Sequence, residues 1–417
     1  MKILEVEGNL PLTGSINIGG AKNSAVSLIP ACILSNNLTT LTNVPDITDI
    51  NVLEEILNYL NVKTNRASQS IVIDPSKMKN ALIPDDLSSK LRASYYFMAS
   101  LLAKYKKVEM YFPGGCSIGS RPIDQTLKIF KAMGAKVVEK DSLFRISAKK
   151  LVGANVTLDM PSVGATVNGI IVSTLCDGET IINNAAREPE ICDLAEMLNK
   201  MGAKITGAGT STIKIEGVKE LDGCFHNVVP DRIEAGTYVI LGCLMGEYLH
   251  INNLVPDHLK ALTDKLMEMG ADIVINDDNI IANKSDNLTA VEIETKGYPG
   301  FATDLQQPFV TLLTQASGVS KVTENIYENR YMNTIYLNKM GANISVSNRE
   351  ATINGKTSLV GKEVEATDLR AGASLLLAAL TAKGKTKILH ADYILRGYED
   401  LIEKLTNIGA KITISEE

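Results

Sequence analysis

A cysteine set among glycines and followed by an arginine is the pattern in this sequence with the most chemistry in it. Pro113-Gly114-Gly115-Cys116-Ser117-Ile118-Gly119-Ser120-Arg121-Pro122-Ile123-Asp124 begins with a turn signal, because Pro followed by two glycines continues neither a helix nor a central strand. The composition predicts a loop open to solvent or ligand. Arg121 follows the thiol by five residues, and Pro122 suits the first turn of a helix. A guanidinium and a helix N-terminus both present positive potential, which favours the thiolate of Cys116. Taken alone, the stretch also fits a plain surface loop whose cysteine is incidental. Its place in a repeat weighs against that.

The repeat is read from a recurring phrase: Met133-Gly134-Ala135, Met201-Gly202-Ala203, Met269-Gly270-Ala271, Met340-Gly341-Ala342 and Ile408-Gly409-Ala410. The glycines fall 68, 68, 71 and 68 residues apart, and Leu60-Asn61-Val62 marks a weaker first copy 73 residues before Gly134. Chance recurrence of a common helix stop predicts irregular spacing, so the sequence is read as six copies. Each glycine suits the left-handed position just past a helix end.

Within each copy a small-residue helix comes first: Ser24–Ser35, Ser94–Lys104, Ala165–Cys176, Ala235–Met245, Pro308–Ala316 and Ala371–Ala382. A strand, a turn, a second helix ending in the glycine and one or two closing strands follow. One copy cannot bury both faces alone, so three per lobe is the economical division. The expected fold is α/β with two lobes, one spanning 21–229 and the other 1–20 plus 230–417.

Apolar helices place the informative polar residues at their starts, where backbone N–H groups are free. Lys22-Asn23, Arg92, Ser162-Val163-Gly164, Asp231-Arg232, Asp304 and Asp368 with Arg370 stand at the first helices; Arg121, Arg187, Arg330 and Arg396 stand at the second. Converging helix starts of this kind suit a ligand with several phosphate or carboxylate groups. Asp231, Asp304 and Asp368 also read as N-caps, and Arg187, beside Glu188 and Glu190, as a structural ion pair. Lys22 resists such a reading, because a lysine there opposes the helix dipole unless an anion compensates it.

At 417 residues, 45% apolar and without Trp, the chain is large enough for two aliphatic cores. The net charge of −6 argues against non-specific nucleic-acid binding. The six cysteines show no CxxC pair, which points to a reduced, cytoplasmic protein, and no apolar run is long enough to span a membrane. Neither glycine loop ends in GK[ST], no GxGxxG occurs, and the four histidines lack metal-ligand spacing. No metal is expected. The sequence leaves the oligomeric state open, and a monomer is compatible with it.

The joint motifs Gly20-Ala21-Lys22-Asn23, the Cys116 loop, Pro161-Ser162-Val163-Gly164-Ala165-Thr166, Ala186-Arg187-Glu188-Pro189-Glu190, Thr303-Asp304-Leu305-Gln306-Gln307-Pro308, Thr367-Asp368-Leu369-Arg370-Ala371-Gly372 and Leu395-Arg396-Gly397-Tyr398 are specific and span the chain. They resemble the UDP-N-acetylglucosamine 1-carboxyvinyltransferase branch of the EPSP synthase family. The resemblance implies an inside-out α/β barrel of six βαβαββ units, three per lobe, with substrates bound between the lobes. It implies transfer of the enolpyruvyl group of phosphoenolpyruvate to the 3′-hydroxyl of UDP-N-acetylglucosamine, with phosphate released and no cofactor.

By the same resemblance Cys116 is the acid at the methylene carbon and the site of a covalent phosphoenolpyruvate adduct, and Asp304 is the base for the sugar hydroxyl. Lys22, Asn23, Arg121, Arg330, Arg370 and Arg396 are implied to hold phosphoenolpyruvate, with Lys22 and Arg396 also catalytic. Asn23, Arg92, Arg121, Pro122, Ile123, Asp124, Gln125, Ser162, Val163, Gly164, Asp304 and Ile326 correspond to the UDP-sugar pocket. Met160 and Thr126 depart from residues found in some members, a Lys and a His, which touches details of nucleotide contact. Two other readings stay open: a related transferase with another acceptor, and a silent UDP-sugar-binding paralogue. Against the latter, Lys22, Cys116, Asp304 and Arg396 are all intact.

Overall fold

Six helices whose every face is apolar can be stable only if sheets and other helices cover them on all sides, and the chain is built that way. The computed structural model describes residues 1–112 and 122–416. The Cys116 loop, Arg121 included, lies outside the described residues. The described residues form two compact units: one takes Gly20 to Phe112 and Pro122 to Val229, the other Met1–Gly19 and Pro230 to Glu416.

In the first unit the helices Lys22–Cys32, Tyr96–Tyr105 and Val163–Ser173 form the centre of one core, the Tyr96 helix packing on both of the others. In the second, Arg232–Met245, Thr303–Leu313 and Leu369–Thr381 pack on one another in a separate core. Five sheets repeat one order. Asn155–Thr157, for example, runs parallel to Glu179–Asn183, which pairs antiparallel with Thr212–Glu216, and that strand with Lys204–Thr206. The sheet of Lys107–Tyr111, Leu143–Ser147 and Lys136–Lys140 has three strands, with Ile83 bridging Met110 in parallel. Strand residues alternate buried and exposed, as in Glu179–Asn183, so each sheet turns one face to its core. The N-terminal strand Lys2–Glu7 lies between Lys385–Leu389 and Lys411–Glu416, which makes the chain's start part of the second unit.

The recurring glycine ends a helix in all five copies where it occurs. Gly134, Gly202, Gly270, Gly341 and Gly409 have φ of 94°, 102°, 82°, 109° and 101°, and Asn61 takes the same place at 60°. The residue after each donates its N–H to the carbonyl five back: Val62 to Leu57, Ala135 to Phe130, Ala203 to Leu198, Ala271 to Leu266, Ala342 to Leu337 and Ala410 to Leu405, all at 2.9–3.0 Å. This is the Schellman pattern, and it satisfies carbonyls the helix itself leaves free.

All six buried helices start at residues other than those expected, the fifth differing most. The fifth buried helix starts at Thr303, not at Pro308, so the proline is interior and gives no N–H to the carbonyl of Asp304. Leu305 bonds back to Ala302 and Thr303 Oγ1 to Glu324, which begin the helix earlier. The first starts at Lys22, ahead of Ser24. Among the described residues no helix is long and apolar enough to cross a membrane.

A buried carboxylate ties the first segment to the second unit. Glu234 accepts the Gly19 N–H at 3.0 Å and Lys404 Nζ at 2.6 Å. Burial raises its carboxyl to about 7 against the pull of Lys404 and that N–H. A raised folded value means stability present below the unfolded value near 4.5 and lost as pH climbs through 7, about 3 kcal/mol in all. Urea unfolding of Glu234→Gln is expected to lack that part of the slope between pH 5 and 7.5, and an unchanged slope would mean another group titrates.

Candidate active site

In the first unit the helix start at Lys22 has neither a side-chain cap nor an acid in its own first turn. Acids from other helices meet its side chains instead. Lys22 Nζ lies 2.7 Å from Asp49, which is buried in the first turn of the helix Thr48–Tyr59. This anion compensates the unfavourable placement of a lysine at a helix N-terminus. Two residues on, the Ser24 hydroxyl donates to Asp193 Oδ2; Asp193 also accepts from His226 Nε2 at 2.8 Å and from the Val229 N–H at 3.4 Å. Lys200 Nζ faces His226 Nδ1 at 3.2 Å, which assigns that nitrogen as the acceptor and fixes the tautomer.

The other residues expected of the nucleotide sugar gather around neighbouring helix starts of the same unit. The short 3-10 turn Arg92–Tyr95 touches the Lys22 helix. Arg92 lies over the rings of Phe112 and Tyr95 at 5.3 and 5.9 Å. Gly164 meets Tyr95 closely: a Cβ at residue 164 would sit 1.6 Å from the tyrosine oxygen, so only glycine allows this approach. Ser162 caps its helix by accepting from the Ala165 N–H at 3.3 Å, while Val163 is exposed. The helix Asp124–Ala132 packs on the Val163 helix, with Pro122 and Asp124 exposed and Ile123 buried before and at its start. Gln125 is spent inside the protein, donating to Asp124 and Asp159 and accepting from the Asp159 N–H. Thr126 is buried and Met160 is 63% exposed, so of the two departures only Met160 presents a surface.

The second unit holds a denser cluster. Asp304, in the first turn of its helix, lies 2.7 Å from Arg330 Nη2 by one oxygen and 3.1 Å from Arg370 Nη2 by the other. Arg370 also donates to the Tyr398 hydroxyl at 3.1 Å, which is 3.0 Å from Thr237 Oγ1. Burial alone would raise the Asp304 carboxyl; Arg370 and Arg330 overcome this and hold it far below the usual carboxylate range. Arg330 stacks over Tyr327 at 5.0 Å, and its buried Nε has no hydrogen-bond partner among the described residues. Arg396 is half-buried at the end of the short helix Asp392–Leu395, which packs on the helix bearing Arg370. Ile326 is 40% exposed in the loop leading to Arg330.

Asp231 and Asp368 are N-caps, each taking two backbone N–H groups on one oxygen, whereas Asp304 is not: Ala302 holds the cap position. Arg187 donates from Nε to the Gly209 carbonyl at 3.2 Å. Asp49, Asp193, His226, Tyr398 and Glu324 were missed as site-supporting residues. An acid in the first turn after Pro45-Asp46-Ile47-Thr48 is the sequence signal for Asp49.

A model of the EPSP synthase (3-phosphoshikimate 1-carboxyvinyltransferase) family matches residues 6–405. The chain is 47% identical over 413 residues to UDP-N-acetylglucosamine 1-carboxyvinyltransferase 2 of Bacillus subtilis (strain 168), covering 99% of this chain and 96% of that one. Against the protein of the same name from Listeria monocytogenes serovar 1/2a it is 45% identical, covering 99% and 97%. Among solved structures, the enolpyruvyl transferase NikO from Streptomyces tendae superposes with a TM-score of 0.91 at 26% identity, covering 99% of both chains. EPSP synthase from Acinetobacter baumannii, at 17% identity and TM-score 0.78 over the full length of both, shares the fold.

Proposed function

Since the chain belongs to the EPSP synthase family, we propose that it transfers the enolpyruvyl group of phosphoenolpyruvate to the 3′-hydroxyl of UDP-N-acetylglucosamine, releasing phosphate in the first committed step of peptidoglycan precursor synthesis. The observation that carries this is full-length likeness at 47% identity to a protein named for that activity. In the same reading each unit is three βαβαββ copies with helices inside and sheets outside, and the protein works in the cytoplasm.

The chemistry is addition followed by elimination. A proton goes to the methylene carbon of phosphoenolpyruvate while the sugar oxygen bonds to the neighbouring carbon and gives up its own proton. The resulting methyl group then loses a proton, the double bond re-forms, and phosphate leaves with the electrons of the broken C–O bond. Cys116 supplies the first proton and also forms the covalent adduct. Lys22, Asn23, Arg121, Arg330, Arg370 and Arg396 hold the anionic substrate, whose charge needs desolvated cations. Arg330 Nε, without a partner among the described residues, is a donor of the kind this requires.

Asp304 is the base, and its two arginines make it a poor one at rest. A phosphoenolpyruvate anion that shares Arg370 and Arg330 weakens their hold on the carboxylate and raises its proton affinity. Base strength therefore follows substrate occupancy.

The test is phosphate release from phosphoenolpyruvate with UDP-N-acetylglucosamine or shikimate 3-phosphate as acceptor. Release with the first alone supports the proposal; release with the second points to another acceptor; binding without release marks a silent copy. Cys116→Ser is expected to lose most turnover, by about 10²-fold or more, and to escape alkylation by a phosphonate epoxide. Unchanged labelling would put the reactive thiol elsewhere.

A further inference from the structure

Glu324 is fully buried just after the strand Gly318–Thr323, and among the described residues its carboxylate meets hydrogen-bond donors rather than a cation. Oε2 accepts from Thr303 Oγ1 at 2.9 Å; Oε1 accepts from the Ile326 N–H at 2.8 Å and the Tyr327 N–H at 3.1 Å. Thr303 and Asp304 are consecutive residues opening one helix. Thr303 holds the beginning of the segment Glu324–Arg330, and Asp304 holds its end through Arg330. The segment is thus pinned at both ends by the first turn that carries the base, and it presents Ile326 to solvent.

The two pins have different fates. The Arg330 pin must slacken whenever Asp304 accepts a proton or an anionic substrate takes the guanidinium, whereas the Thr303 pin involves no group that reacts. We propose that Glu324 is a positioning residue for the transfer reaction: it fixes the base-bearing helix start to the acceptor-contacting loop while the Arg330–Asp304 pair opens. This rests on the reading of Asp304 as base and Ile326 as an acceptor contact. A carboxylate suits the task because all three donors need acceptors. Glutamine keeps the oxygen for the two backbone N–H groups, and its amide can donate to a Thr303 hydroxyl turned round to accept, so geometry survives in Glu324→Gln.

The experiment measures kcat, KM for UDP-N-acetylglucosamine at saturating phosphoenolpyruvate, calorimetric Kd for the nucleotide sugar, and melting temperature, in the full-length protein. Thr303→Val is expected to lower kcat about tenfold or more with KM and Kd within about twofold, because a small misplacement of a reacting group is costly. Thr303→Ser restores kcat. Glu324→Ala lowers kcat as far and also weakens Kd about tenfold, since the loop is released too. The double variant Thr303→Val with Glu324→Ala shows no further loss of kcat than Glu324→Ala, as two residues in one contact should. Glu324→Gln stays within about threefold of wild type. Wild-type kcat in Thr303→Val, or losses in Glu324→Ala that appear only in melting temperature, overturns the proposal. Failure of the underlying reading looks different: the wild type then gives no phosphate release with this acceptor, or Asp304→Asn turns over normally. In either case unchanged Kd in Glu324→Ala still rejects the loop half of the proposal.

Discussion

Asp304→Asn is expected to abolish most turnover, about 10²- to 10⁴-fold, while UDP-N-acetylglucosamine still binds. The same variant is expected to be less stable when unliganded. Arg330 and Arg370 are 3% and 5% exposed, and both direct a guanidinium at this carboxylate. An amide oxygen can accept from one of them but cancels neither charge, and stranding buried cations costs about 3 kcal/mol. A depressed folded pKa contributes stability above the unfolded value and loses it as pH falls toward the folded one. The deficit of Asp304→Asn is therefore full at neutral pH and shrinks below about pH 4. Inorganic phosphate should restore part of the lost melting temperature, because it supplies the missing anion. Normal turnover removes Asp304 as base; lost turnover with unchanged melting at pH 7 removes the arginine pair as its restraint.

What could be read beforehand follows from which interactions are local. The six helix stops were legible because a Schellman turn is made within six residues and leaves a glycine or asparagine in fixed register. The small-residue helices were legible because burial on every side leaves them no charged residue between the first turn and the last. Their first residues were not, since the side chains of Ser24 and Thr303 are held by Asp193 and Glu324, 169 and 21 residues away. Lys22, Arg92 and Arg370 stand at helix starts as expected, whereas Arg396 ends the short helix Asp392–Leu395; nothing in the order of residues says that Lys22 meets Asp49 or that two arginines share Asp304. Such pairs are fixed by packing of elements distant in the chain. Likewise Gly164 read as part of a motif, but its reason is the Tyr95 hydroxyl lying where a side chain would be. Chemistry-bearing residue types were visible; the groups that hold them became visible only once folded.

Lys22 separates the two kinds of role, and its replacement should show both at once. Lys22→Met keeps the length and apolar stem but removes the ammonium 2.7 Å from Asp49, which is 2% exposed. A buried carboxylate left without its cation costs about 3 kcal/mol, so the variant should melt well below wild type. Its KM for phosphoenolpyruvate should rise about 10²-fold, because a desolvated cation that touches an anionic substrate contributes on the order of 2–5 kcal/mol. Adding Asp49→Asn removes the carboxylate charge as well. Stability should then return toward wild type, since deleting both members of a buried pair is close to neutral where deleting one is not. Turnover should stay low, because nothing replaces the cation at the substrate. Melting curves and steady-state kinetics on the two single variants and the pair decide it. If the pair regains turnover together with stability, Lys22 serves Asp49 and not the substrate, and the helix start loses its claim as an anion site.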